Sequence, residues 1–139
     1  MKNIALFIIL FSFTASADIS GTWVGGGQNY YKNAHKRCPL IQMKLRRTAE
    51  KFYIVSGGYQ CGAINAEYPF ADFKIQGSNL VYADEIVGQI FDHGVKLVRP
   101  EEGFTLRLTF NQELLSFEEV WETADGPFIV RGQLVKSTR

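Results

Sequence analysis

The chain has 139 residues, with 15 Lys plus Arg against 14 Asp plus Glu, a formal net charge of +1, and 46% hydrophobic and 14% aromatic residues. That length fits a single domain of about 100–150 residues, and the apolar and aromatic content excludes a disordered chain. Near neutrality argues against nucleic acid as a partner, because such binders carry a basic excess. Two cysteines are too few for a four-cysteine zinc site or a disulfide-dense scaffold.

Met1-Lys2-Asn3 is a short positive start, Ile4 to Phe13 is an apolar run broken only by Ser12, and Ala15-Ser16-Ala17 fits the small-x-small cleavage pattern. This is the layout of a secretory signal peptide, residues 1–17. The apolar run is well short of the roughly 20 residues that span a bilayer. The other reading is an uncleaved anchor or a buried first strand. The expected product is residues 18–139, secreted or periplasmic, with no membrane span after cleavage and with Lys2 lost from its charge. In that oxidising compartment Cys38 and Cys61 are expected to pair. They close a loop of about 24 residues, worth roughly 3 kcal/mol. Free thiols, or a Cys/His metal site with His35 or His93, are the alternative; no close-spaced ligand pair supports metal, and none is expected.

The remainder reads as strands, with no helix. Ile19 to Val24 opens. Leu40 to Thr48 alternates Ile41, Met43 and Leu45 against Gln42, Lys44 and Arg46. Phe52 to Tyr59 follows, then Ile64 to Ile75, interrupted at Pro69 and so one edge or two pieces. Leu80 to Phe91 is one long run with Gly88 as a bulge or bend, and Val95 to Arg99 is short. In Phe104 to Phe110 the residues Phe104, Leu106, Leu108 and Phe110 share a face, the mark of a half-buried strand. In Leu114 to Thr123, Leu115, Phe117, Glu119 and Trp121 share one. Phe128 to Lys136 ends the series.

Eight to ten strands with short connections predict an all-β, antiparallel up-and-down barrel, which removes exposed sheet edges. A two-sheet β-sandwich with Greek-key crossings is the alternative. A barrel of about eight strands has room for side chains or one small ligand.

The predicted product begins Asp18-Ile19-Ser20-Gly21-Thr22-Trp23-Val24. Gly-x-Trp on a first strand behind a signal peptide resembles the opening of lipocalins and their calycin relatives. The resemblance implies that Gly21 and Trp23 close one end of the barrel and that a late cation, Arg131 or Arg139, packs over the indole, a cation–π contact. The lipocalin Thr-Asp-Tyr motif and the helix after the barrel are absent. Avidins also open with Gly-Thr-Trp, but the further tryptophans of their site are missing. The string Gly21 to Gly27 is similar to the Gly-x-Trp-x-Gly-x-Gly start of nitrobindin-like haem barrels, which bind iron through a late histidine. Here no histidine follows His93, so no cofactor is expected.

No catalytic constellation is evident: Gly-x-Ser-x-Gly is absent, and His35 and His93 sit in turn-like surroundings. The chain is expected to be no enzyme. Glu119, inward by alternation, is read as the polar anchor of a mostly apolar cavity lined by Phe104, Leu106, Leu108, Phe117 and Trp121; the rival is a carboxylate paired with an arginine or held at the rim. A four-residue turn from Ala124 to Pro127 would set Val120 opposite Arg131, outside, between Glu118 and Glu122. Gly25 to Arg37, with Tyr30 and Tyr31, reads equally as a lid or partner-contact loop or as an ordinary mobile connection. The leading expectation is a non-catalytic binding protein for a small apolar or amphipathic ligand; the alternative is a protein-binding barrel, such as a secreted hydrolase inhibitor or envelope assembly factor, with Tyr30 and Tyr31 making the contact.

Overall fold

Alternating apolar and polar residues separated by tight turns leave the chain one economical arrangement, a meander of neighbouring strands. The computed structural model describes residues 18–138. The leader read in residues 1–17, and Arg139, lie outside them. The described strands are β1 (Gly21–Tyr31), β2 (Ala34–Arg47), β3 (Lys51–Cys61), β4 (Ile64–Tyr68), β5 (Ala71–Gln76), β6 (Asn79–Tyr82), β7 (Glu85–Phe91), β8 (Gly94–Arg99), β9 (Phe104–Asn111), β10 (Leu114–Thr123) and β11 (Gly126–Lys136), with one 3-10 turn, Pro100–Glu102. All pairings are antiparallel, and β1 bonds to both β2 and β11, so the sheet closes into a ring. There is no crossover, which sets the sandwich aside. The fold is an up-and-down antiparallel barrel.

One irregularity shapes the ring. Pro69, which has no N–H to give to a ladder, divides the run Ile64 to Ile75 into β4 and β5. Both lie along β3: β4 against Gly57–Cys61 and β5 against Lys51–Ile54. They share one place in the ring, and β3 is the only described strand that β4 pairs with.

The interior is continuous. Ile41, Met43, Leu106, Leu108, Leu115, Val130 and Leu134 are all fully buried. Gly132 has a packing reason: a Cβ there would come 2.5 Å from Ile41 Cδ1. At one end the barrel is sealed. Trp23 is fully buried, and its Nε1 donates to the Ile19 carbonyl at 2.8 Å. The cation over the indole is Lys136, with Nζ 5.4 Å from the ring centroid. Arg131 does not serve, because it faces outward and its Nε donates to Glu118 at 2.8 Å. Lys136 also explains Gly21, which has φ +136° and whose added Cβ would meet Lys136 Cε at 2.5 Å. Ile19 belongs to this plug rather than to β1.

Two expected connections are different in the structure. Gly25 to Arg37 is not a loop but the ends of β1 and β2, joined by a two-residue turn at Lys32-Asn33. Leu80 to Phe91 is not one strand but β6 and β7, joined at Ala83-Asp84. In both turns the two residues have positive φ, 51° and 62° at the first and 50° and 64° at the second. Such turns favour Asn-Gly or Asp-Gly, so Lys32 and Ala83 hide them. The β10–β11 connection is also two residues, Ala124-Asp125, which sets Glu118 directly opposite Arg131 and Val120 opposite Ile129. Surface pairs of this kind contribute little stability.

Cys38 and Cys61 are bonded and fully buried between β2 and β3. Removing the bond, by reductant or by replacing both cysteines with Ala, is expected to lower stability by roughly 3 kcal/mol, the cost of freeing a loop of about 24 residues; urea unfolding midpoints measure it. Ala83→Gly is expected to raise stability by up to about 1 kcal/mol, because the left-handed conformation penalises a Cβ; an unchanged or lower midpoint would contradict the strain assigned to that turn.

Candidate functional site

Three β-bulges decide what faces the interior above the core. In β3, Leu45 pairs with Ile54 and Lys44 with Ser56, so Val55 is an extra residue. A bulge of one residue exchanges the two faces of a strand. Below Val55 the inward residues are Phe52 and Ile54; above it they are Gly57, Tyr59 and Cys61. A second shift, at Pro39-Leu40 opposite Gly26, turns Cys38 inward on β2 while Ile41 and Met43 stay inward below it. The two bulges together therefore bring the cysteines to one side of the ladder and turn Tyr59 into the barrel. A third lies in β7, where Leu80 pairs with Gly88 and Val81 with Ile86, leaving Val87 extra beside the glycine.

Glu119 faces inward between Leu106 on β9 and Val130 on β11. It is 3% exposed. Its partners are two tyrosine hydroxyls rather than an arginine: Tyr59 Oη donates to Oε2 at 2.5 Å, and Tyr68 Oη donates to Oε1. Tyr68 stands opposite Gly57, and Ala66 opposite Tyr59, so each large inward ring has a small residue beside it. Phe117 meets both phenols edge-on, with ring centroids at 6.3 and 6.4 Å. Trp121 and Phe104 stand one pair higher, 4.7 Å apart.

Above this group the barrel is hollow. A cavity of about 420 Å³ opens at the end away from Trp23. That volume falls within the roughly 300–1,000 Å³ usual for small-molecule sites. Its wall includes Phe104, Leu106, Glu119 and Trp121, as alternation predicted. Leu108 and Phe117 do not line it; they are buried in the core, with Phe117 packed against the two phenols. Tyr59, Tyr68, Phe73, Tyr82 and Arg99 are also in the wall and were not legible as site residues. Tyr59 is hidden by the bulge, and Tyr68 by the Pro69 interruption. The one advance signal was the aromatic content of both runs.

Tyr30 and Tyr31 do not line the cavity. Tyr31 packs edge-on against Phe128 at 5.9 Å, and Tyr30 lies on the outer face with the Arg131 guanidinium 6.0 Å from its ring. They border a separate surface depression with Asp125 and Pro127. His35 is the second residue of β2, at the open end, while His93 lies in the β7–β8 turn at the sealed end, so the two imidazoles do not converge.

Burial pushes the Glu119 carboxyl above the usual carboxylate range; hydrogen bonds from Tyr59 and Tyr68, and the Trp121 indole, oppose that shift. Burial, and then Glu119 itself, push both phenols upward, so they remain protonated donors. The arrangement is an acceptor held between two fixed donors, suited to binding and orienting a polar group within an aromatic wall. No protein-family model, curated protein or solved structure matches the chain.

The raised carboxyl has a consequence for stability. The folded chain holds this proton more tightly than the unfolded chain, so the group's contribution is fully present below the ordinary carboxylate range. It is lost as pH rises through the raised folded value. Glu119→Gln cannot titrate and is expected to flatten that decline. Urea unfolding of both proteins from about pH 4 to pH 8, the span over which a raised carboxyl ionises, checks it; parallel curves would show that Glu119 titrates alike in both states.

Proposed function

We propose that this chain is a non-catalytic extracytoplasmic binding protein that holds one small amphipathic molecule in the open end of its barrel. The observation that carries the reading is the cavity of about 420 Å³, whose apolar and aromatic wall converges on a single buried carboxylate. A site with a mostly apolar lining and a few fixed polar groups is the usual form of a small-molecule pocket. The secretory layout of residues 1–17 and the buried disulfide support an oxidising, extracytoplasmic setting. The resemblance of Gly21-Thr22-Trp23 to the lipocalin opening agrees with the sealed end built on Trp23 and Lys136.

Native mass spectrometry of the protein purified from its own compartment is expected to show extra mass that a denatured spectrum lacks. Ala71→Trp adds a large side chain to the wall and is expected to remove that mass while leaving the thermal transition intact. A bare polypeptide mass before and after exposure to a lipid and metabolite extract would refute the reading.

A further inference from the structure

We infer that the molecule held in this cavity carries a positively charged amino head, primary or alkylated, on an apolar body; the inference rests on the binding role proposed above. The charged side chains that can face the cavity are Arg99, Glu102 and Glu119; Glu67, between the inward Ala66 and Tyr68, is exposed on the outer face. Arg99 is already engaged: its Nη1 lies 3.8 Å from Glu102 Oε1, and its guanidinium is 6.0 Å from the Tyr82 ring centroid. Glu119 has no ion-pair partner among the described residues. The protein as a whole has a formal charge of +1, yet the lining of its cavity is acidic.

The geometry at Glu119 makes this specific. Each carboxylate oxygen accepts one phenol hydrogen bond. An ionised carboxylate has about four lone-pair sites, so with two phenols and the Trp121 indole as donors it keeps capacity for one more. Both fixed partners are neutral donors, and they orient the carboxylate without supplying a counter-charge. A buried carboxylate without a counter-ion is costly, and a ligand cation is the group that relieves it. The surrounding rings add to the preference. Trp121, Phe104, Tyr59 and Tyr68 stand around the same carboxylate, and aromatic faces attract cations. A ligand carboxylate or phosphate placed there would face Glu119 at short range and be repelled.

Three probes with the same eight-carbon chain separate head charge from chain burial: octylammonium, octanol and octanoate, titrated calorimetrically into the disulfide-bonded protein at neutral pH. The cation is expected to bind at least about tenfold more tightly than the alcohol, the scale of a desolvated cation–π and carboxylate contact, with octanoate weakest. Glu119→Gln removes the charge and also turns one acceptor oxygen into an amide donor facing a phenol; the ratio of cation to octanol affinity, both measured in that variant, is expected to fall from about tenfold to near one. Equal affinity for cation and alcohol, or tightest binding of octanoate, would overturn the charge assignment and leave the cavity's binding role standing. Retention of the full cation preference by a folded Glu119→Gln protein would overturn the role of Glu119. Binding of none of the three would remove the binding role itself and this inference with it. The wild-type series decides the charge question even if the variant does not fold.

Discussion

Closure of a single meander obliges every strand to send its alternate residues into one shared interior. That interior must be filled, sealed or occupied, because an apolar lining exposed to water is unfavourable and a void loses its dispersion contacts. This chain does the first two at one end. Leu106, Leu108, Leu115 and Leu134 fill the middle, and Trp23, tied to the Ile19 carbonyl and covered by Lys136, seals the base. At the other end the strands are unequal. β6 has four residues, whereas β2 has fourteen. A ring with walls of different height leaves a mouth, and the short segments β4 and β5 define one side of it.

Within that mouth the carboxylate of Glu119 sets the chemistry. An inward acid on a core strand is unfavourable unless its oxygens are satisfied. Here two phenols from β3 and β4 do so, and they reach it only because of how those strands are bent. The bulge at Val55 turns Tyr59 inward, and Gly57, opposite Tyr68, lets β3 lie close to β2, since a Cβ there would come 2.5 Å from Met43 Sδ. The disulfide belongs to the same construction. Cys61 shares the inward face that the bulge gives to Tyr59, and its bond to Cys38 fixes the upper end of β3 against β2. The covalent link, the bulges and the phenol–carboxylate contacts thus hold one corner of the barrel in one arrangement, the preorganisation on which the proposed binding role depends.

Much of this was visible in the order of residues, and the parts that were not share a cause. Alternation in β9 and β10 is unbroken, so the inward placement of Phe104, Leu106, Glu119 and Trp121 followed from counting by two. Depth along the strand did not: Leu108 and Phe117 point inward as expected but lie in the packed core below the hollow part. Counting failed in β3, where one extra residue reverses the faces, and in the turns at Lys32-Asn33 and Ala83-Asp84, whose first residues are uncommon for their conformation. The triple glycine Gly25 to Gly27 looked like chain freedom. In the ring it permits close approach, since a Cβ at Gly26 would come 3.0 Å from the Cys38 carbonyl oxygen and those at its two neighbours would meet the β11 backbone.

By itself the sequence determined the all-β class, the antiparallel neighbour order, the cysteine pair and the inward direction of Glu119, because these depend on residue type and local periodicity; the plug at Gly21 and Trp23 was implied only by the resemblance of the opening residues to lipocalins. Tertiary structure alone decided that Lys136 rather than an arginine covers the plug, that Tyr59 and Tyr68 are the partners of Glu119, and where the core ends and the cavity begins. Those outcomes depend on strand register, on bulges and on the unequal heights of neighbouring strands. They arise from pairings between residues 51 to 118 positions apart, and local alternation carries no record of such distances.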